Sequence, residues 1–118
     1  MKTFITACAI GLALTGPAFA ASSDILAKDI ETRVVQNIGG YTKVSVRMEV
    51  MNYAEPAKVY ISYRALDFSG YELASGIVTD TFQKYDTKTL TNTEIIKNDV
   101  YNQINKWEVK QIAAYPTR

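Results

Sequence analysis

Hydrophobic and polar residues alternate over two stretches in the middle of the chain. In the first, Val44, Val46, Met48 and Val50 are separated by Ser45, Arg47 and Glu49. In the second, Val59, Ile61, Tyr63 and Ala65 alternate with Lys58, Tyr60, Ser62 and Arg64. Side chains of a strand point to opposite faces in turn, so each stretch reads as a half-buried β-strand. Asn52, Tyr53, Ala54, Glu55 and Pro56 lie between them and read as a turn, because proline has no N–H to give to a ladder. The pattern therefore predicts an antiparallel hairpin of 41–51 with 58–66.

Four further strands are expected. The first covers 30–38 and is closed by Gly39-Gly40. The segment 71–82 carries Gly76, which marks a bulge or a close approach of backbone. The segment 88–96 places Thr89, Thr91 and Thr93 on one face, and 105–114 carries Trp107, Val109 and Ile112. Asp67-Phe68-Ser69-Gly70 has turn residues at both ends, and Lys84-Tyr85-Asp86 is a second turn. The polar stretch 97–104 fits a single helical turn, with Asn98 or Asp99 as its cap.

Valine, isoleucine, threonine and tyrosine dominate after residue 20, and these types suit a pleated surface. Half-polar alternation argues against a parallel sheet buried on both faces. The predicted fold class is all-β: an antiparallel two-sheet sandwich, immunoglobulin-like, with six to seven strands over 30–116.

The middle of the chain also resembles a known module. Tyr63-Arg64-Ala65-Leu66-Asp67 followed by Gly70, preceded by a strand 46–52 that ends in Asn52, resembles the FxLYD-type domain, a small secreted immunoglobulin-like unit. The resemblance covers 44–96. Tyr63 stands where that pattern has Phe, Ala65 where it has Leu and Leu66 where it has Tyr, and the turn at Tyr85 lacks the usual glycine. It implies a sandwich fold and carries no catalytic residue with it.

The N-terminus changes the address. Met1-Lys2 is a short positive start, an apolar run follows over 4–14, and Gly16-Pro17 breaks it ahead of Ala18-Phe19-Ala20. This order describes a secretory signal peptide cleaved after Ala20, with the periplasm or the exterior as destination. The run is too short for comfortable membrane insertion. Residues 21–29 are expected to form a leader outside the domain.

Composition narrows the chemistry. The chain of 118 residues has no histidine and one cysteine, Cys8, which lies inside the signal segment. A Ser-His-Asp triad, a Cys-His pair and a histidine-ligated metal are excluded, as is an internal disulfide. Loss of Lys2 turns the formal charge of +1 to zero, which argues against a nucleic-acid partner. No cofactor is implied. Asp67 and Glu72 are the closest carboxylate pair for glycoside hydrolysis, but Asp67 is explained by its turn. Asn98, Asp99, Asn102 and Asn105 are the best oxygen cluster, without the spacing of a calcium loop.

The candidate binding residues are Tyr60, Arg47, Arg64 and Met51, read as one outward face of the predicted hairpin. Tyrosine with arginines is the composition of protein interfaces. The alternative is ordinary surface pairing of Arg47 and Arg64 with Glu49 or Glu72. The expected function is a non-enzymatic binding module presenting a sheet face or an edge strand to a protein partner. Carbohydrate binding, and self-assembly through an edge strand such as 87–93, are the alternatives.

Overall fold

The computed structural model describes residues 24–117. The expected signal peptide and its expected cleavage site therefore lie outside the described residues. In order, the elements are β1 (Ile25–Ala27), β2 (Glu31–Ile38), β3 (Tyr41–Asn52), β4 (Ala57–Leu66), β5 (Glu72–Phe82), β6 (Thr87–Lys97), α1 (Asn98–Tyr101) and β7 (Lys106–Pro116). The strands form two antiparallel sheets packed face to face, an all-β sandwich.

In the first sheet β3 is central, with β6 along one side. β1 and β2 share the other side: β1 pairs near Val50–Asn52, β2 pairs from Tyr41 to Arg47. In the second sheet β4 is central, between β5 and β7. The predicted hairpin is thus corrected. β3 and β4 do not pair; the loop through Pro56 carries the chain from one sheet to the other. Alternation specifies that each strand buries one face. It is equally satisfied by a neighbour in the same sheet and by a neighbour across the sandwich.

The core lies where those two strands stack. Val44, Val46, Met48 and Val50 face Val59, Ile61 and Tyr63, and none of the seven is more than 2% exposed. Phe82, Val78, Leu90, Ile96 and Ala114 complete it from the flanking strands. Each large side chain withdrawn from water in this way contributes about 1.5–3 kcal/mol. Ile25 is also buried, and β1 pairs with β3, so the leader expected over 21–29 is corrected at Ile25–Ala27.

One side of the sandwich is closed and the other is open. β5 packs against β6, whereas β2 makes no comparable contact with β7. All eight residues of β2 are exposed, although Val34 sits opposite the buried Val44 and faces inward.

At the end of the sandwich where β3, β5 and β7 terminate or turn, Asn52 ties the loops together. It is fully buried. Its side-chain amide donates to the carbonyls of Glu55 (3.2 Å) and Gln83 (3.1 Å), and its Oδ1 accepts from the N–H of Ala54 (3.0 Å). Its backbone carbonyl accepts from Tyr85 N–H (2.7 Å), which helps hold Tyr85 at φ +70°, a conformation unusual for a tyrosine. Replacing Asn52 by alanine strands several buried polar groups. Asn52→Ala should cost about 2–3 kcal/mol, read as a lowered urea midpoint.

Candidate functional site

The turn after β4 behaves as its residues demand. Asp67 Oδ1 accepts from the N–H groups of Ser69 (2.8 Å) and Tyr71 (2.9 Å), and Gly70 has φ +88°, where a side chain would be strained. Asp67 is consumed by this turn. Glu72 lies 3.4 Å from Lys110 Nζ. The two carboxylates considered for hydrolysis are therefore each engaged elsewhere. The Asn98 side chain accepts a 2.7 Å hydrogen bond from Thr42, and Asp99 Oδ1 accepts from the N–H of Val100. The residue preceding the helical turn, Lys97, makes no side-chain cap, so the capping role expected of Asn98 or Asp99 is replaced by these contacts. Among the described residues no group of three or more Asp or Glu side chains converges as a metal site requires.

Between the sheets lies one polar cluster. The Tyr63 hydroxyl donates to Glu94 and accepts from Asn92 Nδ2 (2.8 Å). Tyr63 comes from β4, while Asn92 and Glu94 sit on the inner face of β6, so the cluster clasps one sheet to the other. Trp107 packs on the Tyr63 ring at 6.1 Å between centroids, partly buried against the core. Gly76 is opposite Tyr63 on β5, and a Cβ there would collide with the Tyr63 ring and the Glu94 carboxylate. The glycine in the strand is thus a close-approach site and not a bulge: the β4–β5 ladder runs without a register shift there. Gly76→Ala should destabilise by about 2 kcal/mol or more, measured by thermal melting.

Burial raises the Tyr63 pKa above the ordinary tyrosine value, and the hydrogen bond and negative charge of Glu94 add to the rise. In the unfolded chain the phenol ionises near pH 10; in the fold it keeps its proton to higher pH. The folded state therefore binds more protons above pH 10, and stability falls as pH rises through that range. Urea midpoints measured from about pH 8 to 11 should decline more steeply for the native chain than for Tyr63→Phe.

The four residues predicted as one binding face are divided between opposite faces of the sandwich. Tyr60 and Arg64 project from the outer face of the β5–β4–β7 sheet. Arg47 and Met51 project from the outer face of the sheet centred on β3. The division follows from β3 and β4 lying in different sheets. Their ion partners also differ from those expected. Arg64 places Nε and Nη2 at 2.8 and 2.7 Å from one oxygen of Glu108, and Arg47 lies 3.6 Å from Glu31. Glu49 is taken by Lys28 at 2.8 Å. Exposed pairs of this kind contribute little to stability.

Around Tyr60 the structure adds residues that sequence reasoning did not connect. Tyr115 on β7 meets Tyr60 edge-on, at 5.6 Å between centroids and 84° between planes. Ala113 lies beside Tyr60 across the ladder, and the three line a shallow depression. Lys58 Nζ stands 5.6 Å over the Tyr60 ring, within range of a cation–π contact. Tyr115 lies near the end of β7, and its contact with Tyr60 depends on the β4–β7 register, which contains a bulge between Ser62 and Tyr63. The threonine-rich strand 87–93 does form an edge, since β6 pairs with β3 alone. Thr87, Thr89, Thr91 and Thr93 lie exposed on its outer face. Lys88 folds back to the Thr81 carbonyl (2.5 Å) and toward Asp80 (3.6 Å).

Among the described residues no helix is long and apolar enough to cross a membrane. No family model matches the chain, and no curated protein matches it. The X-ray structure of Northeast Structural Genomics Consortium target SoR45 is similar, with a TM-score of 0.49 and 11% identity over 83% of this chain and 90% of that one.

Proposed function

We propose that the protein is an exported, non-catalytic binding module whose contact surface for a protein partner is the outer face of the β5–β4–β7 sheet. The observation that carries this reading is the Tyr60–Tyr115 pair set against Ala113, on a sheet face that also exposes Ile77. Aromatic side chains that combine a large apolar body with a hydroxyl dominate the centres of protein interfaces. Thr79, Thr81, Ser62 and Gln111 surround them as a polar rim. The two rings stand at right angles, so they offer a notch for an apolar side chain and not the flat platform on which a sugar ring stacks. The non-catalytic reading is supported by the engagement of Asp67 and Glu72 and by a chain without histidine. The exported address rests on the signal-peptide pattern of the first twenty residues. The residues that resemble the FxLYD-type pattern, Tyr63, Asp67 and Gly70, serve the core and a turn, in keeping with a module whose binding residues lie elsewhere.

The test is photo-crosslinking in the native compartment, with a benzophenone side chain placed at position 60, 115 or 47. A discrete protein adduct is expected from 60 and 115 and none from 47, on the opposite face. Equal adducts from both faces, or none at 60 and 115, would sink the proposal. With the adduct identified, Tyr60→Ala should weaken its binding by about 30-fold, or ~2 kcal/mol, and leave the fold intact.

A further inference from the structure

We infer that β2 is the seam of a symmetric homodimer, in which a second copy of this chain pairs its own β2 antiparallel to the first, Glu31 facing Arg33 of the partner. The starting point is that all eight β2 residues are exposed and the strand is paired along one side only. An unpaired strand edge attracts another strand, and proteins that stay apart guard such edges with lysine, proline or inward charges. The other long edges are guarded in this way, and β1 is only three residues long. β6 carries Lys88 and Glu94 on its inner face, and β5 carries Asp80 there. β7 bears Lys106, Lys110 and a terminal Pro116. β2 contains no lysine and no proline, and its inward positions are Thr32, Val34 and Asn37.

Charge selects both the occupant and the register. Pairing centred on Thr32 sets Glu31 against Arg33 of the copy, twice by symmetry, and Ile30 against Val34. Glu31 and Arg33 both project from the outer face, so the charges meet on one surface. Arg47 already lies 3.6 Å from Glu31, and the joined sheets would continue that row as positive, negative, positive. Sliding the copy by two residues places Glu31 against Glu31 in one direction and Arg33 against Arg33 in the other. The ladder bulge falls between Val34 and Gln36, beyond the five residues this register uses. Ile30 and Val34 would be covered on the inner side, where Val34 is now 41% exposed. The product is one continuous sheet through both copies, ordered β6-β3-β2-β2-β3-β6. A two-fold axis normal to that sheet leaves both Tyr60 faces free and pointing the same way. This inference is independent of the partner proposed for that face.

Five paired residues from each copy make a small interface, so the association is weak and concentration-dependent. Sedimentation equilibrium of the mature protein from about 10 µM to about 1 mM should show a monomer–dimer equilibrium. Arg33→Glu, which opposes Glu31 of the partner copy with a like charge, should raise the dissociation constant at least tenfold. The double swap Glu31→Arg with Arg33→Glu should bring the dimer back. Circular dichroism and melting of each variant confirm that the fold is retained. A monomer at every concentration overturns the inference. So does a dimer insensitive to Arg33→Glu, or one that the double swap does not restore.

Discussion

The stacking of β3 on β4 is the constraint on which the rest of the molecule depends. No cysteine follows residue 20, so no disulfide joins the sheets within the domain. Small domains often rely on such a bond. Here the two central strands of the two sheets press their apolar rows together, and every flanking strand is positioned by pairing with one of them. The Tyr63 clasp adds direction to a contact that apolar packing alone leaves free to slide. Its hydroxyl must find Glu94 and Asn92 across the interface, and a buried phenol without partners would cost stability. Gly76 completes the arrangement by leaving the room that the ring occupies.

The same arrangement explains where surface chemistry is available. β3 and β4 turn their inner faces to each other, so their outer faces look in opposite directions. Tyr60 and Arg47 therefore never share a surface, although both lie at outward positions of neighbouring strands in sequence. On the β4 side the pair of half-buried Tyr60 and exposed Tyr115 shares its face with an arginine already paired to Glu108. On the β3 side the middle of the outer face is threonines and paired charges, and the exposed apolar residues Leu26, Ile38, Tyr41 and Ile95 lie toward its ends. An apolar centre with a polar rim exists on one of these faces, and the proposed partner surface is placed there for that reason.

Much of the fold was legible in the residues. The alternation at 44–50 and 59–65 located both central strands, and Asp67, Gly39-Gly40 and Lys84-Tyr85-Asp86 located turns. Gly76 was legible as a special position, and the structure resolves it as a close approach to Tyr63. What alternation does not encode is which strands are neighbours. The period of two is the same for a strand paired beside another and for one stacked 10 Å above it, so the hairpin of β3 with β4 was the wrong choice between equal patterns. The candidate face failed for this single reason. The β1 strand was missed because three residues between polar flanks carry no periodicity, and only the burial of Ile25 reveals their place. The contact of Tyr115 with Tyr60 was missed because strand register decides it, and the β4–β7 register includes a bulge that has no glycine to announce it.

The open side of the sandwich follows from where β5 sits. In the constant-type immunoglobulin arrangement the fourth strand borders the sheet of the second and fifth, and a last strand borders the sixth. Here β5 pairs with β4 instead, and among the described residues no strand borders the free edge of β7. β5 packs against β6 and shields that side, which leaves β2 and β7 facing solvent across an unclosed gap. β7 is protected by its lysines and its proline, and its Trp107, Val109 and Ile112 stay half-buried against the core. β2 has neither device, and Val34 faces inward yet stays 41% exposed. A strand in that condition is stable only while its exposed edge is tolerated by solvent or satisfied by another strand. The alternating charge at Glu31 and Arg33 suits an identical strand in one register and rejects the two nearest alternatives. That selectivity separates a specific pairing from the indiscriminate addition that an uncharged edge of the same length would invite.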